Sequence, residues 1–148
     1  RPRPVPARPP SRPRAAGGGG GGGPALARLL AREGIHSVLV GRKPDALAAT
    51  AAEVEALGAQ VRTVSADLLG ADALDEIAAD TADLDVGLLI INAGASSYGA
   101  PYLDGSLEGF RSVVDLNVTA PMALVHRFAP ALRSRGPGGI VVVGPLAG

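Results

Sequence analysis

The apolar positions change period several times along the chain. Leu26, Leu29 and Leu30 recur at helical spacing after Pro24 and before Gly34. Proline suits the first turn of a helix and glycine its end, so a helix is predicted between them. "HSVLV" (36–40) is a short β-branched run and reads as a strand. Between 45 and 57, Leu47, Ala51, Val54 and Leu57 share one helical face, and Gly58 follows. "VRTVS" (61–65) reads as a strand, "DALDEIAA" (72–79) as a short helix carrying Leu74 and Ile77, and "VGLLII" (86–91) as a buried strand. Residues 106–132 predict a long helix with Phe110, Val113, Val114, Leu124, Val125 and Phe128 facing inward. Pro121 and Pro130 should kink or end it. "GGIVVVG" (138–144) predicts a last buried strand.

Helices thus alternate with short, continuously apolar strands, the pattern of a parallel sheet covered on both faces. Right-handed crossovers turn that order into a doubly wound α/β sheet. The sheet reads as incomplete. In this architecture a glycine loop follows a central first strand, but "PPSRPRAA" (9–16) precedes the glycines here. Proline and arginine argue against a central strand. An empty slot would leave its neighbours with unpaired backbone groups, at about 1–3 kcal/mol each. Residues 1–23 therefore read as a disordered Arg/Pro/Gly-rich tail that replaces the first strand. Residues 24–148 read as a partial domain.

The formal net charge is zero but unevenly spread. Residues 1–23 hold five arginines and no acid, while the remainder has nine basic and fourteen acidic residues. A basic tail can touch nucleic acid or the chain's own acidic part. It has no aromatic residue to stack on bases, so no nucleic-acid partner is expected and a solvated tail is favoured. Arg, Pro, Gly and Ala share G/C-rich codons, and a G/C-rich gene read out of frame produces such a stretch. The coding DNA would test that origin. There is no cysteine, and His36 and His126 stand far apart, so no metal site is expected. The longest apolar run is too short for a bilayer span, and the N-terminus lacks the apolar core of a signal peptide. No membrane partner and a cytoplasmic chain are the expectation.

The candidate chemistry lies in spaced short stretches. Seven glycines fill 17–23, and "LVGRK" (39–43) and "SADL" (65–68) each end a predicted strand. "INAG" (91–94) ends the apolar strand, "DLNVTAP" (115–121) lies in the long helix, and "IVVVGPLAG" (140–148) closes the chain. From about residue 24 onward, these stretches resemble the short-chain dehydrogenase/reductase family. That resemblance implies a Rossmann-like dinucleotide-binding sheet. It also implies hydride transfer between a nicotinamide cofactor and a small-molecule alcohol or carbonyl.

Taken motif by motif, the resemblance places the family's three phosphate-loop glycines on Gly17, Gly21 and Gly23, with Ala16 at the threonine position. Bare N–H groups at a helix N-terminus can hold a pyrophosphate. The family's NAD-selecting acid falls on Gly41, and Arg42 follows. Arginine can pair with a 2′-phosphate, so NADP is favoured over NAD, with Lys43 assisting. Asp67 and Leu68 match the adenine contact, although Asp at this place also serves as a helix or loop cap. Asn92, Ala93 and Gly94 match the cofactor-side turn, with Ile91 where the family has a further Asn. Asn117 matches the catalytic-tetrad asparagine that holds a relay water; a lone mid-helix Asn also bonds locally. Pro145 stands where the family has its serine, and proline offers neither hydroxyl nor N–H.

A Tyr-x-x-x-Lys pair is missing from these residues: Lys43 is the lone lysine, and Leu39 stands four residues before it. Tyr98 and Tyr102 read as pocket or loop residues. The expectation is a truncated family member, inactive in this form. The alternative is a non-catalytic NADP(H)-binding remnant or regulatory module. Homo-oligomer formation is expected of the intact family member.

Overall fold

The computed structural model describes residues 14–18, 22–95, 99 and 101–144. Five parallel strands make one sheet: β1 (Arg14–Gly18), β2 (His36–Gly41), β3 (Val61–Ser65), β4 (Val86–Ile91) and β5 (Gly139–Val142). Their order is β3-β2-β1-β4-β5. Sequence order reverses between β1 and β4, which makes that gap the topological switch point of a doubly wound sheet.

The first-strand slot, expected to lack a strand, is filled by low-complexity sequence itself. Arg14–Gly18 forms the central strand, and its register sets Ala15 beside Ser37, Gly17 beside Leu39 and Ala16 beside Leu89. The arginine and prolines that argued against a strand fall at or before its first residue, where ladder bonding is least demanding. Ala15 to Gly18 keep their N–H groups and can complete both ladders.

The helices are α1 (Gly23–Arg32), α2 (Pro44–Ala56), α3 (Ala73–Asp80), α4 (Leu107–Val114) and α5 (Ala120–Arg135). Gly34 and Gly58 take positive φ just after α1 and α2, which is why glycine ends both. On one face of the sheet, Val38, Val40, Val64, Leu89 and Ile91 pack against Ile77 of α3 and against Leu124, Phe128 and Leu132 of α5. On the other face, Leu39 packs under Ala27 and Ala31 of α1 and Val54 of α2. The leucine face expected of α1 is corrected: its two alanines are buried and Leu29 is exposed.

The long helix expected over 106–132 is interrupted. Residues Asp115–Thr119 form a π-turn, in which the Ala120 N–H donates to the Asp115 carbonyl. Pro121 follows in the first turn of α5. Proline has no N–H for the carbonyl four residues earlier, so an α-helical bond to Asn117 cannot form there. A wider turn is one way a helix passes such a point. Pro130 lies inside α5 without ending it. The turn also changes which residues face outward: Val114, expected inside, is exposed. β5 is likewise exposed rather than buried, because β4 is its one strand partner among the described residues.

Candidate dinucleotide site

The candidate residues come from different elements but gather at the C-terminal edge of the sheet. Each βα connection leaves its strand at this edge, so a parallel sheet collects its loops there. Gly17 lies in β1, level with Leu39, rather than in the turn after it. Gly21 lies outside the described residues. Gly23 opens α1, and Pro24 stands in its first turn. Asn92 at the end of β4 sits against this helix start. A Cβ on Gly22 would lie 3.3 Å from the Asn92 Oδ1, and one on Gly23 would lie 3.6 Å from Nδ2. The helix start therefore rests on the Asn92 amide, and α1 directs its first N–H groups along the edge.

At the next strand end, Gly41 packs against Leu47, with a virtual Cβ 3.3 Å from the leucine Cδ2. The Ala66 N–H donates to the Gly41 carbonyl at 3.0 Å, tying the ends of β2 and β3 together. Arg42 and Lys43 follow, both exposed. Neither belongs to an ion pair among the described residues. Asp67 turns inward on its own loop: its Oδ1 accepts from the Leu69 N–H at 3.1 Å and its carbonyl from the Gly70 N–H at 2.7 Å. One Asp67 oxygen is thus engaged as a loop cap. Leu68, Asn92 and Ala93 meet around a recess of about 30 Å³ on the α3/α5 side, which has room for about one water.

The tightest contact lies at Gly94. A Cβ there would come within 2.7 Å of the Asn117 Oδ1, so glycine is required unless Asn117 moves. Asn117 sits in the π-turn and clamps the chain just beyond. Its Oδ1 accepts from the Ala95 N–H at 3.1 Å, and its Nδ2 donates to the Ala95 carbonyl at 2.7 Å. Both functions of the amide are used on one backbone unit, which fixes the loop leaving β4. The sequence reading missed Ala95 and Gly22. Ala95 adjoins the "NAG" turn but contributes only backbone, and Gly22 is indistinguishable inside a glycine run. Pro145 and Tyr98 lie outside the described residues, while Tyr102 is exposed and stacks on Phe110 with ring centroids 4.9 Å apart.

This edge offers helix N–H donors, a glycine approach, two exposed cations just past the neighbouring strand and a fixed turn across the switch point. A family profile described as short chain dehydrogenase matches residues 15–148. The chain belongs to the short-chain dehydrogenase family.

Among curated relatives of this family, the chain is 36% identical over 123 residues to the very-long-chain 3-oxoacyl-CoA reductase of Laccaria bicolor, covering 80% of this chain and 36% of that protein. It is 35% identical over 115 residues to the 1-deoxy-11-beta-hydroxypentalenate dehydrogenase of Streptomyces exfoliatus, covering 76% and 42% respectively. The chain thus spans less than half the length of these relatives. Two solved structures are also similar. A metagenomic short-chain oxidoreductase in complex with NADP aligns at a TM-score of 0.84 and 29% identity, over 91% of this chain and 63% of that one. The L-sorbose reductase of Gluconobacter frateurii, complexed with NADPH and L-sorbose, aligns at 0.80 and 28%, over 89% and 52%. Family neighbours therefore bind NADP(H) in structures. Among the described residues, no helix is long and apolar enough to cross a membrane.

Proposed function

We propose that this edge binds NADP(H) in preference to NAD(H), as part of a short-chain dehydrogenase acting on a small-molecule alcohol or carbonyl. The observation that carries the reading is the pair Arg42 and Lys43. Among the described residues they have no ion-pair partners, and they stand at the end of the strand next to the glycine-flanked helix start. A cationic fork there suits a 2′-phosphate and lacks the acid that would select a free ribose hydroxyl. The residues present fit the group. The starts of α1 and of the loop after β4 both hold glycine where a side chain would meet Asn92 or Asn117. When bound, the cofactor supplies the hydride chemistry.

The chain's own residues have separate roles in this reading. Gly22 and Gly23 leave the α1 N–H groups open to the pyrophosphate, and Asn92 supports them. Arg42, assisted by Lys43, holds the 2′-phosphate. Asp67 keeps its loop closed through Leu69 while its outer oxygen and the Leu68 backbone face the adenine side. Asn117, Gly94 and Ala93 keep the loop after β4 from drifting into the cofactor groove.

Hydride transfer by these 148 residues alone is not expected. Position 145 holds proline, and Lys43 is the single lysine, so a serine donor and a Tyr-x-x-x-Lys acid/base are not in this stretch. That favours a binding role for the stretch itself. Leu107, Val114, Val118 and Met122 form an exposed apolar line on the α4/α5 rod, which supports pairing of two copies.

Calorimetry with NADPH and NADH tests the reading. NADPH should bind at least tenfold more tightly, and Arg42→Asp should reverse the order. Equal affinities, or a preference that Arg42→Asp leaves untouched, would overturn it.

A further inference from the structure

A second feature opens onto the same strand end but runs the other way, down the sheet beneath α1 and α2. It is a cavity of about 430 Å³. Its walls are Leu26 and Leu30 from α1, Ala46 and Leu47 from α2, and Leu39 and Ile90 from the sheet, and its upper end takes in Gly23, Gly41 and Asn92 of the dinucleotide edge. Ser37 also lines it, and its Oγ is buried without a hydrogen-bond partner among the described residues, a sign that the space is not packed to completion. Arg42 and Lys43 line the mouth.

We propose that this cavity binds a single-chain aliphatic carboxylate, with its head at Arg42 and Lys43 and its tail along Leu47, Leu39 and Leu30. Two cations that pair with no acid among the described residues, at the mouth of an apolar cleft, are complementary to an amphiphilic anion and to little else of that size. From Ser37 to Arg42 the strand rises about 17 Å, long enough for a medium-length chain to lie parallel to β2. Carboxylate and dinucleotide share the two cations, so binding of one excludes the other. The apolar tail has no counterpart in the dinucleotide, which makes the site distinct while its occupancy controls the first.

The experiment is calorimetric titration of the 148-residue chain with acetate, octanoate, decanoate and decanol, each repeated with NADPH present. Decanoate should bind and should raise the apparent Kd for NADPH in proportion to its concentration. Octanoate should bind about tenfold more weakly, as loss of two buried methylenes requires. Acetate and decanol should bind far more weakly still. Ala46→Phe, a change at an exposed position on the cavity wall, should weaken decanoate at least tenfold and leave NADPH within twofold, with an unchanged circular dichroism spectrum. The double change Arg42→Gln with Lys43→Gln should weaken both ligands.

Equal binding of acetate and decanoate would overturn the inference, as would no decanoate binding or a folded Ala46→Phe chain that binds decanoate normally. Failure of NADPH to bind while decanoate binds with chain-length dependence would remove the dinucleotide reading and leave this one standing. NADPH binding without decanoate binding would do the reverse.

Discussion

The two faces of the sheet are built to different densities. The face under α3 and α5 takes valine, leucine and isoleucine from β2, β3 and β4 and closes them with Ile77, Leu124, Phe128 and Leu132. The face under α1 and α2 buries mainly Ala27, Ala31, Leu39, Val54 and Ala59 and leaves a cavity of about 430 Å³. Both faces share the same backbone and the same ladders. What differs is the covering helices: α3 and α5 bring Ile77, Leu124, Phe128 and Leu132, whereas α1 and α2 bury Ala27, Ala31 and Val54. A ladder asks only for N–H and C=O groups, while packing asks for volume. One face is then made for cohesion, and the other has space for a ligand.

Truncation should separate the faces most sharply. Phe128→Ala removes a buried ring at the centre of the dense face and should cost about 3–5 kcal/mol, enough to unfold a marginal domain. Leu30→Ala, on the wall of the existing cavity, should cost about 1 kcal/mol, since the lost atoms already face open space on one side. Urea denaturation of both variants checks this. Equal losses would mean that the two faces are equally packed.

Asn117 ties the rod of α4 and α5 to the functional edge. Asn117→Ala removes two bonds to Ala95 and leaves a backbone N–H and C=O to find other partners, a cost of about 1–3 kcal/mol. NADPH affinity should fall with it, and hydrogen exchange at Ala95 should speed up. Exchange unchanged from the parent would show that the loop after β4 is fixed by something other than the clamp.

The same contrast explains what could be read from the chain. β2 and β4 were legible because their runs of valine, leucine and isoleucine are dictated by burial on both faces, and β3 because it is rich in β-branched residues, with Val64 buried. β1 was not, since alanine and glycine carry no pattern and its place is fixed by the open ladders of β2 and β4. In the long helix the apolar period was legible, but the π-turn was not: Pro121 announces a missing bond without specifying a wider turn, and the Asn117 grip on Ala95 is a contact made across 22 residues. At the edge, the motifs pointed to Asn92, Gly94 and Asn117; Gly94 lies against Asn117, and Asn92 lies against the start of α1. The sequence reading left Asp67 open between cap and ligand, and its bond to Leu69 shows the cap in use. β5 carries the burial signature of a central strand while standing at an edge, so composition alone misplaced it.

The smallest effects belong to the end of the sheet opposite the site, where charge rather than packing holds the connections. Arg62 of β3 grips the turn before β4 through a paired contact with Asp83, at 2.7 and 3.0 Å. Arg135 at the end of α5 donates to Asp85 at 2.6 Å and to the Pro137 carbonyl at 2.8 Å. Hydrogen bonding to Asp83 and Asp85 holds the two guanidinium groups above the ordinary arginine range, partly opposed by desolvation. A group whose folded pKa is raised gives its stabilisation in full below the unfolded value and loses it as pH rises through the folded one. For these arginines that window lies in strong alkali, so stability between neutrality and mild alkali should be flat with respect to both. Each pair is exposed, so Arg62→Gln should lower the denaturation midpoint less than any change above, and salt should erase much of the difference. A larger loss than that of Leu30→Ala, persisting in high salt, would mean that the paired contact positions β4 itself, and with it Asn92 at the far end of the strand.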